Sequence, residues 1–301
     1  MPGPCTLAAS FCRSPVMRRF AQVDVFGLRP FAGNPVAVVL DAEGLSTQDM
    51  QAMARWTNLS ETTFVLPPTH AEASYRVRIF TPRQELPFAG HPSIGTAHAV
   101  LEAGIAAPNA QGGLVQECAA GLLPLRIDMS GSQRQLFVRI PSARHQALDS
   151  AQQTQLMTAL GADITLAECV NVGPIWIVAG LDSGAAVRVL QPDLSALAAL
   201  SRATSSVGIS VYGSDASGEA DLVVRSFVPA DAIPEDPVCG SGNGAIAAYL
   251  LANGALPSRD YCSSQGREIG YDGRVHLRID DEDRVWIGGQ ATTTIHGALN
   301  R

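Results

Sequence analysis

The alternation of apolar and polar positions predicts that this chain is built mostly of β-strands. Tyr75–Phe80 alternates polar and apolar side chains, as expected for a strand with one buried face. Similar patterns predict further strands at Ala21–Phe26, Ala37–Leu40, Thr62–Leu66, Leu136–Ile140, Ile175–Val178, Gly208–Tyr212, Leu222–Phe227, Val275–Ile279 and Val285–Ile287. Because strands outnumber helices, the pattern favours an α+β fold over a doubly wound parallel sheet.

Two kinds of helix are predicted between these strands. Thr47–Thr57, Ala151–Leu160 and the shorter Leu194–Leu200 have one apolar side, which is typical of surface helices. Ala97–Leu101 and Ala245–Leu251 are instead small or apolar on every side. That composition predicts two buried central helices.

The segments around the two buried helices resemble each other. Arg78–Pro82 resembles Arg225–Pro229, which follows 147 positions later, and Gly90–Gly104 resembles Gly240–Gly254, which follows 150 positions later. Each copy comprises a strand, a proline-bearing loop, a glycine-rich turn, an apolar helix and a terminal glycine. The duplication predicts two pseudo-symmetric domains, each a mostly antiparallel sheet curled around a central helix.

The chain divides on this basis into an extension and two domains. We expect the first domain at residues 17–145 and the second at 146–301, with the link near Pro141–Ser150. Residues 1–16 have neither the basic start nor the apolar core of a signal peptide. We expect this extension to be disordered, or to lie upstream of the native start.

Composition and charge exclude several classes of partner. The chain has 301 residues, of which 46% are apolar and 16% charged, as in ordinary compact proteins. A net charge of −7 gives no electrostatic reason to bind nucleic acid. No apolar stretch reaches the length needed to span a membrane. We therefore expect a cytoplasmic protein with neither nucleic acid nor membrane as a partner.

The cysteines indicate neither disulfides nor a metal centre. The six of them are scattered along the chain, with no CxxC motif and no His/Cys cluster at metal-ligand spacing. Reduced thiols in a cytosolic protein are the simpler interpretation. No metal site is predicted.

The two glycine-rich turns are candidate anion-binding sites. Each runs into a helix N-terminus, where unpaired N–H groups and the helix dipole favour a carboxylate or an oxyanion. Pseudo-twofold symmetry would direct both toward one cleft, and the candidate binding residues are Gly90, Ser93, Cys239, Gly240, Ser241 and Gly242. Neither turn has the sequence of a nucleotide-binding loop. The alternative is that these glycines only permit tight turns.

Glu61 is the candidate acid/base. It precedes the apolar strand Thr62–Leu66, where partial burial would raise the pKa of its carboxyl group toward neutrality. At the offset of 147 its counterpart is Gly208, so the second half lacks this acid. A residue that breaks the symmetry is a better catalytic candidate than one needed for folding in both halves. The alternative is a solvated glutamate at a strand edge.

Three further residues are placed by the turns. His91 lies in the first turn, and Asp236 shortly precedes the second, so both could face Glu61 across the cleft. The alternatives are a structural histidine and an ordinary Asp-Pro turn. Cys239 corresponds to Ala89, which excludes a mechanism with two thiols. A reactive thiol at a helix N-terminus and a buried inert thiol both stay open.

Five segments together resemble the phenazine-biosynthesis isomerase (PhzF-like) family, which shares the fold of diaminopimelate epimerase. They are Phe31–Pro35, Ser60–Phe64, Pro87–Pro92, Asn171–Trp176 and Glu235–Ser241, and they occur in the family's order. The resemblance covers nearly the whole chain after Met17. It implies a site between two pseudo-symmetric domains, and dimers. It also allows the final strand, from about Ile295 onward, to return to the first domain.

The resemblance implies roles for the candidate residues. In the characterised isomerase the glutamate that matches Glu61 moves a proton along a dihydro-hydroxyanthranilate ring. The residues that match His91 and Asp236 orient the amine or hydroxyl group, and the glycine-rich turns hold the substrate. Many relatives carry Thr where this chain has Cys239, whereas the epimerases carry Cys. That departure leaves the identity of the substrate open.

Three hypotheses about function follow. The leading one is a cofactor-independent isomerase that moves a proton on a small carboxylated substrate, with Glu61 as the acid/base. The second is an amino-acid epimerase or racemase that uses Glu61 and Cys239 on opposite faces of the substrate. The third is a binding protein that keeps the cleft without catalysis. A binding protein would not need Glu61, His91 and Asp236, which favours the enzymes.

Overall fold

The computed structural model describes residues 17–130, 133–231 and 233–300. The predicted extension at residues 1–16 lies outside them. Within the described residues the chain forms 17 strands, six α-helices and two short 3-10 turns. The fold is α+β, as the pattern of the sequence predicted.

The described part of the chain begins and ends with a strand. They are β1 (Met17–Val25), β2 (Asn34–Val39), β3 (Glu61–Leu66), β4 (Tyr75–Phe80), β5 (Glu85–Leu86), β6 (Gly113–Cys118), β7 (Gly121–Ser130), β8 (Gln133–Arg139), β9 (Arg144–Ala147), β10 (Ala167–Asn171), β11 (Ile175–Gly180), β12 (Gly208–Ser214), β13 (Leu222–Val228), β14 (Ile233–Asp236), β15 (Asp260–Gln265), β16 (Gly273–Ile279) and β17 (Val285–Asn300). The helices are α1 (Thr47–Thr57), α2 (Gly90–Glu102), α3 (Ser150–Leu160), α4 (Gly184–Arg188), α5 (Leu194–Thr204) and α6 (Gly240–Ala252).

The sheet contains the same pairing pattern twice. In the first half β2 and β3 are parallel, β3 and β4 antiparallel, and β4 and β6 parallel. In the second half β11, β12, β13 and β15 repeat these relations. The registers also agree, because Thr62 pairs with Phe80 and Ile209 pairs with Phe227. The duplication visible in the sequence is therefore a duplication of structure.

Each half also receives a strand from the other. The short strand β9 pairs with β10, and residues 291–300 of β17 pair with β1. The predicted link at Pro141–Ser150 therefore contains a strand, which corrects the expectation of a simple connection. Because all 17 strands of the described residues join in one sheet, the boundary between residues 145 and 146 stays a prediction.

Strand β17 is much longer than its apolar run predicted. Residues Val285–Ile287 were the only part with a clear strand pattern, yet the whole strand is 16 residues long. Gly288 and Gly289 follow the apolar run and end it. A Cβ at Gly288 would lie 2.2 Å from the ring of Phe137, so the packing of that ring against β17 requires a glycine inside the strand.

Helices α2 and α6 lie at the centre of the two halves, as their composition predicted. Ile94 of α2 and Ile246 of α6 belong to the same hydrophobic cluster, together with inward-facing residues of both halves of the sheet. Gly104 and Gly254 follow the helices with φ of 66° and 63°, the left-handed conformation expected after a helix. The glycine-rich segments are not loops before the helices, however, because α2 begins at Gly90 and α6 at Gly240.

The remaining long helices cover the outside of the sheet. Helix α1 packs Met50 and Ala54 against Phe64 and Phe80, while α3 and α5 share a separate cluster in the second half. Ser46 begins α1 with a capping box, in which its side chain and that of Asp49 bond to each other's backbone N–H groups. These outer clusters hold the sheet in place around the two central helices.

Several strands had no apolar signature. Strands β5, β6, β7, β9, β10, β14 and β15 and helix α4 were not predicted. In β15, the residues Ser263, Ser264 and Gln265 are polar yet completely buried. Burial of polar side chains requires hydrogen-bond partners, which here come from distant parts of the chain. A local pattern therefore could not reveal this strand.

Candidate active site

The first turns of α2 and α6 meet at the junction of the two halves. A Cβ at Gly240 would lie 3.0 Å from the backbone nitrogen of His91 and 3.4 Å from the carbonyl carbon of Gly90. Only glycine leaves room for so close an approach. Two helix N-termini, each with unpaired N–H groups and a positive dipole end, therefore lie side by side.

The start of α2 has no side chain that satisfies its free N–H groups. Its N-cap is Ala89, which makes no side-chain capping bond. Ser93 does not fill this role, since its hydroxyl donates to the carbonyl of Ala89 and accepts from Nε2 of Gln116, at 2.8 and 2.9 Å. Ser93 is completely buried, behind the helix start. The N–H groups of Gly90 and His91 are the ones available for an anion.

The start of α6 is capped by Cys239. The N–H of Gly242 donates to Sγ of Cys239 at 3.3 Å. Sγ lies 3.7 Å from Oγ of Ser241, and that hydroxyl accepts from Nε1 of Trp176 at 3.1 Å. Because the indole can only donate, the proton of Ser241 is directed elsewhere. Gly240 and Ser241 supply the free N–H groups here.

Glu61 lies at the first position of β3, beside this junction. Its side chain is 14% exposed, and Oε2 lies 3.4 Å from Nε2 of His91. Both atoms are buried, and among the described residues neither makes a hydrogen bond. Burial, and to a smaller extent the negative charge of Asp236, raise the pKa of Glu61 to about 8. A hydrogen bond from the hydroxyl of Ser60 acts in the opposite direction and lowers this pKa. The carboxyl group can thus exist in both protonation states near neutrality.

His91 is neutral in this environment. Its side chain is 4% exposed, and burial lowers the pKa of its imidazole to about 3. A neutral ring has one nitrogen that donates and one that accepts. His91 and Glu61 therefore meet as a polar contact without requiring an ion pair.

Asp236 reaches the site from the end of β14 in the second half. Its Oδ1 accepts from Nδ2 of Asn34 at 2.9 Å and from the N–H of Val238 at 3.0 Å. Burial raises the pKa of Asp236 to about 6, although the Val238 N–H and the Cys239 thiol oppose the shift. The carboxyl group is mostly ionised above that pH, and it is a candidate partner for an amine or a hydroxyl.

Glu235, the neighbour of Asp236, serves the fold instead. Its two carboxylate oxygens accept from Nε and Nη2 of Arg225 at 2.9 and 2.8 Å. Both side chains are 7% exposed, and Arg225 also donates to backbone carbonyls at the end of α4. This bidentate pair holds β14 against β13.

The thiol of Cys239 is buried and protonated. Burial, followed by the charge of Asp236, raises the pKa of this cysteine well above its ordinary value, and Glu61 contributes in the same direction. Both carboxyl groups therefore lie close enough to affect it. The helix dipole does not produce a reactive thiolate here, because burial and two nearby acids outweigh it.

The structure thus brings Glu61, His91, Asp236 and Cys239 together around the starts of α2 and α6. Ser93 lies behind the junction, and a Cβ at Gly242 would meet Oγ of Ser210 at 2.4 Å. The sequence missed two residues that hold this arrangement, Asn34 and Trp176. Both lie in segments that resemble the family, but their partners follow 202 and 65 positions later, so no local spacing pointed to them.

Other features of the described residues were also compared with this junction. Two surface cavities of about 530 Å³ each lie away from it, one beside Tyr212 and Asp215 and one beside Met50 and Arg76. In the parts of the chain that the structure describes, no group of three or more His, Cys, Asp or Glu side chains could hold a metal ion. None of the helices described there is long and apolar enough to cross a membrane.

This chain is similar over nearly its full length to known proteins. A curated relative from Schizosaccharomyces pombe, antisense-enhancing sequence 1, is 38% identical over 291 residues, which cover 92% of this chain and 97% of the relative. A trans-2,3-dihydro-3-hydroxyanthranilate isomerase from Pseudomonas aeruginosa is 34% identical over 270 residues, which cover 88% and 91%. The structure of a predicted epimerase from Pseudomonas aeruginosa superposes with a TM-score of 0.79 at 26% identity, over 94% of this chain and 99% of that one.

Because relatives over nearly the full length are named isomerases and epimerases, the fold and site define an enzyme of the isomerase class. The family model described as phenazine biosynthesis-like protein matches residues 23–297. The chain belongs to this family, which confirms the resemblance seen in five of its segments.

Proposed function

We propose that this protein is a cofactor-independent isomerase that moves a proton within a small carboxylated substrate, with Glu61 as both acid and base. The observation that carries the proposal is the buried contact between Glu61 and a neutral His91 beside two helix N-termini. The substrate class is that of trans-2,3-dihydro-3-hydroxyanthranilate, a cyclic acid with an amine and a hydroxyl, since relatives that act on it are 33–35% identical.

The helix starts provide the binding site for the substrate's carboxylate. The N–H groups of Gly90 and His91 on α2 and of Gly240 and Ser241 on α6 belong to the two helix starts that meet at the junction. The hydroxyl of Ser241, which also contacts Sγ of Cys239, is a further candidate donor. Such donors stabilise negative charge most strongly where water is excluded. Asp236 then pairs with the amine or hydroxyl of the same substrate.

The reaction needs only one proton carrier. The ionised carboxyl group of Glu61 removes a proton from an activated carbon, and the electron pair left behind is delocalised toward the substrate's carboxylate. The helix N–H groups stabilise that enolate-like charge. Glu61 then returns the proton to another carbon of the same molecule, so that no atom is gained or lost and nothing is oxidised.

The test is deuterium incorporation from heavy water. We expect the wild type to place deuterium in the substrate or product, and Glu61→Gln to slow this by about 10²–10⁴-fold. Glu85→Gln is the matched control, because Glu85 pairs with Arg78 at the surface and should leave exchange unchanged. Exchange that survives Glu61→Gln at the wild-type rate would contradict the proposal.

An epimerase is the second candidate, and Cys239 is the reason. Cys239 is 3% exposed, its thiol stays protonated, and Glu61 lies close enough for its negative charge to help raise the pKa of that thiol. Glu61 would remove a proton from one face of a chiral carbon, and the thiol would deliver one from the other. This hypothesis predicts that Cys239→Ala abolishes turnover, while Cys169→Ala, at another buried cysteine, does not. A fully active Cys239→Ala enzyme rules it out.

A further inference from the structure

Asn34 lies where the two halves meet and contacts groups from both. It is the first residue of β2 and is 1% exposed. Its Nδ2 lies 2.9 Å from Oδ1 of Asp236 and 3.1 Å from the carbonyl oxygen of Val238, both in the second half. The same Nδ2 lies 3.5 Å from Nδ1 of His91, in the first half.

The orientation of this amide is determined by its neighbours. The hydroxyl of Ser60 donates to Oδ1 of Asn34 at 3.3 Å. If the amide were reversed, its oxygen would face the carboxylate of Asp236 and the carbonyl of Val238, which are both acceptors. Nδ2 is therefore the atom that faces Asp236, Val238 and His91.

That orientation selects one form of the histidine ring. The two hydrogens of the NH₂ group serve Asp236 and Val238, and the same donor group faces Nδ1 of His91 at 3.5 Å, which disfavours a proton on Nδ1. A neutral ring then carries its proton on Nε2, which is the nitrogen 3.4 Å from Oε2 of Glu61. The ring nitrogen that carries the proton is thus the one nearest to the carboxyl group of the proposed acid/base, although the two atoms are not hydrogen-bonded to each other.

We propose that Asn34 is a positioning residue that holds His91 as the Nε2–H tautomer facing Glu61 and ties the ring to Asp236 across the junction of the two halves. The structural part stands on the contacts of Asn34, and its catalytic consequence rests on the proposed function. A ring N–H, rather than a lone pair, then lies beside Oε2 of Glu61, with 3.4 Å between the two atoms. The single amide thus aligns three groups that the sequence places far apart.

The tautomer can be measured in the free protein. In ¹⁵N-histidine-labelled enzyme, long-range ¹H–¹⁵N spectra distinguish a protonated from an unprotonated ring nitrogen, and His91→Gln identifies the signals of His91 among the six histidines. We expect an unprotonated Nδ1 and a protonated Nε2 near neutral pH. A wild-type His91 that is protonated on Nδ1, or on both nitrogens, overturns the proposal without any variant at Asn34.

Asn34→Asp tests whether Asn34 causes that state. The new carboxyl group lacks the NH₂ donor that faces Nδ1, and the one proton that it shares with Asp236 lies between those two carboxyl groups. Its oxygen can therefore accept from Nδ1, and we expect the ring proton to move to Nδ1. Tyr75→Phe is the control, because it removes another buried hydrogen bond of the same half, from Tyr75 to Gln116, and should leave the tautomer unchanged. An Nε2–H ring that persists in a folded Asn34→Asp protein contradicts the proposal.

The outcome is separate from that of the proposed function. If the enzyme turns over, we expect Asn34→Asp to lower kcat by about tenfold or more while KM changes by less than about threefold, because alignment rather than binding is lost. A KM effect alone would contradict a positioning role. If the wild type has the Nε2–H ring but exchanges no deuterium with any substrate, the proposed function fails and the structural role of Asn34 stands.

Discussion

The starts of α2 and α6 occupy equivalent places in two copies of one frame, yet their chemistry differs. At α2 the N-cap is Ala89, the next side chain is that of His91, and Glu61 lies beside it. At α6 the N-cap is Cys239, which binds its own helix, and Ser241 is held by Trp176. Both starts offer N–H groups, but only the first half has a glutamate beside its helix start.

A steric difference explains why the glutamate occurs once. Glu61 pairs with Val36 in the first half, and Gly208 pairs with Trp176 at the equivalent place in the second. A Cβ at Gly208 would lie 2.2 Å from the carbonyl oxygen of Phe227 and 3.0 Å from the ring of Trp176. The indole that holds Ser241 therefore also excludes a side chain from position 208. Duplication supplied the frame, and packing assigned the acid to one half.

The largest effect is expected when Glu61 is replaced by glycine, the residue at the equivalent position 208 of the second half. We expect Glu61→Gly to lower turnover by about 10³-fold or more, because the carboxyl group that carries the proton is lost. Added formate or acetate should restore part of the activity by entering the space that the side chain leaves. The measurement is kcat with and without the added acid. Turnover that is unaffected by Glu61→Gly would show that the acid/base lies elsewhere.

The second prediction concerns the opposite position. We expect Gly208→Ala to reduce the free energy of unfolding by about 3 kcal/mol, because the added methyl group meets backbone that cannot move easily. Gly297→Ala is the control, since no atom lies within 4 Å of a Cβ there, and it should change stability by less than about 1 kcal/mol. Urea unfolding of both variants measures the difference. Equal stabilities would refute the steric explanation.

The third prediction uses the raised pKa of Glu61. Because folding shifts this pKa from 4.5 to about 8, the folded state holds a proton that the unfolded state has lost, and stability falls as the pH rises between those values. We expect Glu61→Gln to lack this loss and to be more stable than the wild type by about 2–4 kcal/mol at pH 9, with little difference near pH 4. Thermal unfolding across that range measures it. Parallel pH profiles would mean that Glu61 titrates normally.

The smallest effect is expected at the thiol. Serine in place of Cys239 can still cap α6 by accepting from the N–H of Gly242, so we expect Cys239→Ser to change turnover by less than about threefold and stability by less than about 1 kcal/mol. Steady-state kinetics and unfolding check this. A large loss of turnover with normal stability would indicate that the thiol of Cys239 delivers the second proton, and would favour the epimerase.

Much of the fold could be predicted because the relevant signals are local. Alternation at Tyr75–Phe80 and uniform apolarity at Ala245–Leu251 report burial directly, and both elements were found. Strand β15 was missed because its buried residues are polar, and β17 was cut short because Gly288 makes room for the ring of a distant strand. Buried polar groups and packed glycines are explained only by their partners.

The candidate site shows the same division. Glu61 stood out because its position could be compared between the two copies, and His91 and Asp236 stood out because they lie at the two glycine-rich turns. Asn34 did not, because its partner lies 202 positions away. Ser93 looked equivalent to other residues of the glycine-rich turns, but the structure turns its hydroxyl toward Gln116. Spacing can place a residue near a site without deciding where its side chain points.

The sequence by itself determined the α+β class, the duplication, the family and the absence of a counterpart to Glu61 in the second half. These follow from periodicity and from comparison of the two copies, which need no knowledge of distant contacts. Only the tertiary structure decided that the two helix starts touch, that Glu61 meets a neutral His91, and that Asn34 joins them to Asp236. The physical reason is that burial and hydrogen bonding depend on groups from both halves, which the folded chain alone brings within a few ångströms.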